Sequence, residues 1–100
     1  MKKTSKSTSG TSFQRVTISA TVEDLRKILG EPDYEHSDGS DKTNIEWEME
    51  TESGEVFTVY DWKEYRRISE HETIEWHIGS ISTAISWQAQ DEILEALNNA

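Results

Sequence analysis

Asn44-Ile-Glu-Trp-Glu-Met-Glu-Thr51, then Ser53-Gly54, then Val56-Phe-Thr-Val-Tyr-Asp-Trp62, is the stretch whose reading decides the fold. Its first segment alternates apolar and acidic residues, the period of a strand with two unlike faces. Ser53-Gly54 is a turn dipeptide, and taken as a two-residue hairpin loop it fixes a register. Thr51 then faces Val56, Glu50 faces Phe57, Met49 faces Thr58 and Glu48 faces Val59. Trp47 faces Tyr60, Glu46 faces Asp61 and Ile45 faces Trp62. One face collects Ile45, Trp47, Met49, Tyr60 and Trp62 and is the expected core face. The other collects Glu46, Glu48, Glu50, Glu52 and Asp61, interrupted by Phe57 and Val59. A one-residue slip that buried the glutamates would be costly, so the pattern specifies the register strongly.

Outward from the hairpin, Thr73–Gly79 reads as a third strand, with Ile74, Trp76 and Ile78 inward and Glu75 and His77 outward. Ser82 is placed to cap a last helix with the stripe Ile85, Ala89, Ile93, Ala96 and Leu97, widened by Leu94 and Trp87. On the other side, Phe13–Ser19 alternates as a short strand. Thr21 fits an N-cap, Glu23 and Asp24 suit the first turn, and Val22, Leu25, Ile28 and Leu29 form one apolar stripe. Gly30 and Pro32 end that helix. The order β-α-β-β-β-α predicts an α+β domain over residues 13–100, an antiparallel sheet of three to four strands with two helices on one face. Residues 1–12 are polar after Met1 and read as a disordered basic tail.

Twenty acids outweigh ten bases, for a net charge of −10. Four of the bases, Lys2, Lys3, Lys6 and Arg15, lie in the first fifteen residues, which hold no acid. An acidic domain repels nucleic acid and suits a protein with a basic surface. The chain has no cysteine, hence no disulfide, thiolate metal site or Cys nucleophile. No apolar run is long enough to span a membrane and no signal-peptide core follows the initial lysines, so a cytoplasmic protein without membrane contact is expected. No phosphate loop, dinucleotide fingerprint or nucleophile elbow occurs, and no cofactor is implied.

Three places could carry function. The first is the acidic sheet face, where Glu46, Glu48, Glu50 and Asp61 would supply a field and Phe57 and Val59 an apolar anchor for a protein partner. The same two apolar residues could instead be covered by the N-terminal strand region, or form the seam of a homodimer. The second is a metal or acid–base site built from Glu46, Asp61, Glu75 and His77 on the same face. The third is the loop Glu31–Thr43, whose carboxylates Asp33, Glu35, Asp38 and Asp41 lack the spacing of a calcium loop. His36, His71 and His77 share no zinc-ligand spacing. Tyr65-Arg66-Arg67 reads as local charge balance, with the bases of Lys63–Glu72 near the acidic sheet face.

Tyr60-Asp-Trp-Lys63 and Ile74-Glu-Trp-His-Ile-Gly79 resemble small, uncharacterised bacteriophage proteins with a similar acidic loop, hairpin end and strand before the last helix. The resemblance spans Leu25–Leu97. It implies a viral origin and expression in a bacterial host cytoplasm, and it brings no catalytic residues. Leu29-Gly-Glu-Pro32 is similar in layout to lipoproteins of outer-membrane assembly, whose helix ends in this pattern before a hairpin; the lipidation cysteine of that group is absent. These expectations converge on a non-enzymatic acidic binding domain. It would act on a host protein, with inhibition of a nucleic-acid enzyme by charge mimicry as its specific form.

Overall fold

The computed structural model describes residues 1–35 and 40–100. The expected turn at Asp38-Gly39, the histidine His36 and the carboxylate Asp38 lie outside the described residues. The chain runs β1 (Lys2–Lys3), β2 (Ser12–Ala20), α1 (Val22–Leu29), β3 (Tyr34–Glu35), β4 (Ile45–Glu50), β5 (Val56–Tyr60), β6 (Ile74–Ser80) and α2 (Thr83–Asn98). The strands form one antiparallel sheet in the order β1-β4-β5-β6-β2, and β3 shares the outer edge of β4 with β1. The α+β class and the two helices agree with the sequence pattern. The sheet has six strands rather than three or four, because two short pieces pair with the edge of β4. Among the described residues no helix is long and apolar enough to cross a membrane.

Both helices begin as their caps dictate. The Thr21 hydroxyl accepts from the Asp24 amide at 3.0 Å, and the Ser82 hydroxyl from the Ile85 amide at 3.3 Å. Gly30 closes α1 with φ 86°, a conformation that glycine adopts without penalty. The core lies between the helices and one sheet face. It joins Val22, Leu25 and Leu29 of α1 and Ala89 and Ile93 of α2 to Trp47, Phe57, Val59, Trp76 and Ile78 of the sheet. Trp87 and Leu94 of α2 stay exposed, outside the stripe they were expected to widen.

Two tryptophans bracket α1. The Trp76 indole donates to the Ala20 carbonyl at 3.0 Å, just before the helix, and the Trp47 indole to the Gly30 carbonyl at 2.7 Å, just after it. Their rings meet edge to face with centroids 5.4 Å apart. Burying these two side chains supplies much of the core in so polar a chain.

The hairpin register differs by one residue from the expected one. The observed partners are Glu50 with Val56, Met49 with Phe57, Glu48 with Thr58, Trp47 with Val59 and Glu46 with Tyr60. The cause is the turn. The Thr51 amide donates to the Glu55 carbonyl at 2.8 Å, and the Gly54 amide to the Thr51 carbonyl at 2.9 Å. Gly54 sits at φ 88°, so Glu52, Ser53 and Gly54 form a three-residue loop that ends in a left-handed glycine rather than a two-residue turn. The glutamates of β4 keep their face, and it is β5 that turns over. Phe57 and Val59 are fully buried in the core, while Tyr60 and Trp62 leave it. Gly54→Ala places a side chain at this left-handed position, and we expect a loss of about 1 kcal/mol in urea-melt stability.

The N-terminal residues are not a free tail. Besides the β1 pairing, the Thr4 hydroxyl donates to Glu50 at 2.7 Å, Lys3 reaches Asp33 at 2.9 Å and Lys6 donates to the Gly54 carbonyl at 2.7 Å. Lys2 and Lys6 lie 3.6 and 3.9 Å from the Glu50 carboxylate, which is held below the usual carboxylate range by the Thr4 hydrogen bond and these two cations. The composition of this segment predicts disorder. The acidic edge of β4 overrides it by pairing with its lysines.

Candidate functional site

The sheet face turned away from the helices carries the candidate site. Strand alternation and the observed register put Glu46, Tyr60, His77 and Thr17 in one cross-sheet row, and Glu48, Thr58 and Gly79 in the next. A bulge in β2 between Phe13 and Val16, with Arg15 at φ 63°, lets Phe13 pair with Gly79 on this face. Phe13 stacks on His77 with ring centroids 3.8 Å apart and an interplanar angle of 11°. Trp62 lies 6.0 Å from His77, and Tyr60 meets both His77 and Trp62 edge-on, at 5.5 and 6.3 Å. Burial among these rings keeps the His77 imidazole below its ordinary pKa, against the opposing effect of Glu75.

Glu46 stands beside this aromatic group. Burial pushes its carboxyl above the usual range, and the negative charges of Glu48 and Asp33 push it further. The Tyr60 hydroxyl is raised as well, chiefly by burial and then by Glu46. None of the ion pairs among the described residues involves Glu46 or Glu48. Two hollows meet at Glu46. One is a cleft of about 710 Å³ flanked by Tyr34, Asp41, Lys42 and Tyr65. The other is a cavity of about 220 Å³ bounded by Thr58, Tyr60, Trp62, Gly79 and the N-terminal Thr8 and Thr11. Thr43 and Glu46 line both.

The segment after β5 shapes the rim under backbone strain. Lys63 and Tyr65 adopt φ 56° and 51°, in the left-handed region that bulky side chains avoid. The Lys63 amide donates to the Lys42 carbonyl at 2.7 Å, which ties this segment to the loop before β4. The Lys63 ammonium stands 5.7 Å from the centre of the Trp62 ring. Arg66 does not reach the sheet face as expected; it pairs with Glu64 at 3.0 Å and Glu72 at 2.6 Å within its own segment. Charge relief elsewhere falls to Arg26, which binds Glu70, Glu31 and Glu35 at 2.9, 2.5 and 2.6 Å and joins α1 to β3 and the segment before β6.

Of the residues expected to form a partner surface, the structure leaves Glu46 and Glu48 in place. Glu50 shares their face but is occupied by the N-terminal segment. Phe57 and Val59 are core residues, so they anchor no partner and form no dimer seam. Asp61 is fully buried. Its carboxylate accepts from the Asn44 and Ile45 amides, each at 2.8 Å, and from the Asn44 side chain at 3.0 Å. Asp61 therefore fixes the start of β4 and neither faces Glu46 nor adds to a surface field. The metal set Glu46, Asp61, Glu75 and His77 is accordingly not assembled. Among the described residues no three His, Cys, Asp or Glu side chains come together as a metal site. His71 is at the surface beside Glu23, at 2.6 Å.

Sequence reasoning missed Tyr60, Trp62, Phe13 and Gly79. The available signal was the apolar pair Phe57 and Val59 on the face that a two-residue turn makes polar. That misfit pointed to a register error rather than to an anchor. No protein-family model, curated protein or solved structure matches this chain.

Proposed function

We propose that the chain is a binding protein that docks a basic protein partner on the open, acidic sheet face. Glu46 and Glu48 supply the field, and Tyr60 and Trp62 supply the aromatic contact. The observation that carries this reading is Glu46: a half-buried carboxylate between two hollows, beside like charges and with no cation against it among the described residues. A fold that tolerates this in isolation has it relieved when a cation arrives. The N-terminal lysines on the adjoining Glu50 and Asp33 are an internal instance of the same complementarity. On the resemblance to phage proteins the partner is a host protein, and a nucleic-acid enzyme held by charge mimicry is the specific form of that reading. Exposed Trp87 and Leu94 on α2 favour self-association as a second reading, held by apolar contact.

Capture of partners from bacterial lysate, repeated with the Glu46→Lys/Glu48→Lys double variant and at high salt, tests the proposal. A partner set lost in both arms supports it. A set unchanged in both overturns it, and retention of the chain's own copies alone supports the second reading.

Stability and binding should move in opposite directions at Glu46. The folded pKa of Glu46 lies above that of the unfolded chain, so the folded state holds the proton more tightly. Its contribution to stability is therefore most favourable at low pH and falls as pH rises through the ordinary carboxylate range and beyond it to the raised folded value. Glu50 and Glu72, whose folded pKa values are lowered, act in the opposite sense, so the difference between variant and wild type is the informative quantity. Glu46→Gln is expected to raise the melting temperature at neutral pH, with the gain shrinking toward acid pH, while weakening partner binding.

A further inference from the structure

We infer that the smaller cavity receives a guanidinium group, seated beside Glu46 at the corner formed by Tyr60 and Trp62. This rests on the docking proposal and names the chemical group that enters. The cavity measures about 220 Å³. A water molecule takes up roughly 30 Å³ of liquid, so there is room for a guanidinium and part of its alkyl stem.

Its floor is Gly79. A Cβ at this position would lie 2.6 Å from the Thr58 hydroxyl oxygen and 3.4 Å from the Tyr60 ring. A glycine inside a strand weakens it and marks a place where something else approaches closely. Here the Thr58 hydroxyl and the Tyr60 ring make that approach, so the glycine is what lets these two lining side chains sit where they do.

The lining selects the charge and the shape. Glu46 repels an anion. A neutral ligand would seal a carboxylate from water without compensation. A cation offsets it. Thr43, Thr58 and Tyr60 line the cavity with Glu46, and each carries a hydroxyl able to accept a hydrogen bond. A guanidinium carries five N–H donors in a planar fork and no acceptor, and its face stacks on aromatic rings. Tyr60 and Trp62 meet edge to face at 81°, so they form a corner in which a flat cation can stack on one ring and meet the edge of the other. An alkylammonium is more strongly hydrated and presents only three donors around a point charge, so it fits the set of acceptors less well.

The test is a titration of the isotope-labelled full chain with ethylguanidinium, at concentrations far below those that denature, read at the Trp62 indole N–H and the Gly79 amide. Ethylammonium at equal ionic strength is the control. We expect a saturable shift at both positions for ethylguanidinium, little for ethylammonium, and about tenfold weaker binding in Glu46→Gln. Gly79→Ala should reduce the shift by displacing the Thr58 hydroxyl and the Tyr60 ring that line the cavity; should that variant fold poorly, Glu46→Gln decides. No saturable shift, an equal response to ethylammonium, or unchanged affinity in Glu46→Gln overturns the inference. If basic peptides still bind the acidic face in any of those cases, the docking proposal stands without it. If ethylguanidinium binds while arginine-rich and lysine-rich peptides both fail, the cavity takes a free small guanidinium compound and the docking proposal falls. Preference for the arginine-rich peptide assigns the group to a protein partner.

Discussion

Trp76→Ala is expected to destabilise the chain by about 3–5 kcal/mol, read as a fall in the urea midpoint and in melting temperature. A domain of this size has a total of about 5–15 kcal/mol, so much of the population would be unfolded at moderate temperature. The expectation combines two losses. Trp76 is fully buried and packs edge to face on Trp47, so its removal leaves a large void between sheet and helices. Its indole also satisfies the Ala20 carbonyl at the point where β2 hands over to α1. Trp76→Phe helps to separate the two, since it keeps one aromatic ring in the core but loses the hydrogen bond and the remaining part of the indole, for about 1–2 kcal/mol or somewhat more. Equal effects for the two variants would show that the hydrogen bond, rather than the ring, holds α1 in place.

Asp61→Ala is expected to cost about 3 kcal/mol, because it leaves buried donors of Asn44 and Ile45 without an acceptor. The readout is again equilibrium unfolding, with hydrogen exchange at the Asn44 and Ile45 amides as the local check. Asn44 is already strained in this respect. Its side-chain oxygen is buried without a hydrogen-bond partner, so the neighbourhood has little spare capacity to absorb the loss. A surface acid would behave otherwise: exposed substitutions away from special features usually stay within about 0.5 kcal/mol. A stability change that small would return Asp61 to the surface role that the two-residue hairpin implied.

The elements themselves were legible because local rules and tertiary packing agree over most of the chain. Thr21, Gly30 and Ser82 punctuate the helices where their capping chemistry requires, and Trp47, Met49, Trp76 and Ile78 go inward as alternation demands. The N-terminal strand was invisible for a physical reason. Lys2 and Lys3 have no pattern of their own, and they are ordered only because the edge of β4 offers unpaired backbone groups and the carboxylates of Glu50 and Asp33. The candidate site was half legible. Glu46 and Glu48 belong to β4, whose alternation is unambiguous. Their aromatic neighbours belong to β5, whose facing depends on the turn.

By itself the sequence determined that β4 has a tryptophan side and a glutamate side, and that Val56–Tyr60 pairs with it through a turn containing Gly54. It did not determine which side of β5 joins which side of β4. Ser53-Gly54 is compatible with a two-residue and a three-residue loop, and each fixes a different parity. Only the packed structure chose, because the three-residue loop buries Phe57 and Val59 against Trp47 and Met49 while leaving the Tyr60 hydroxyl and the Trp62 rim on the open face. That choice removed an apolar anchor from the acidic face and put in its place Tyr60, Trp62 and the hollow over Gly79.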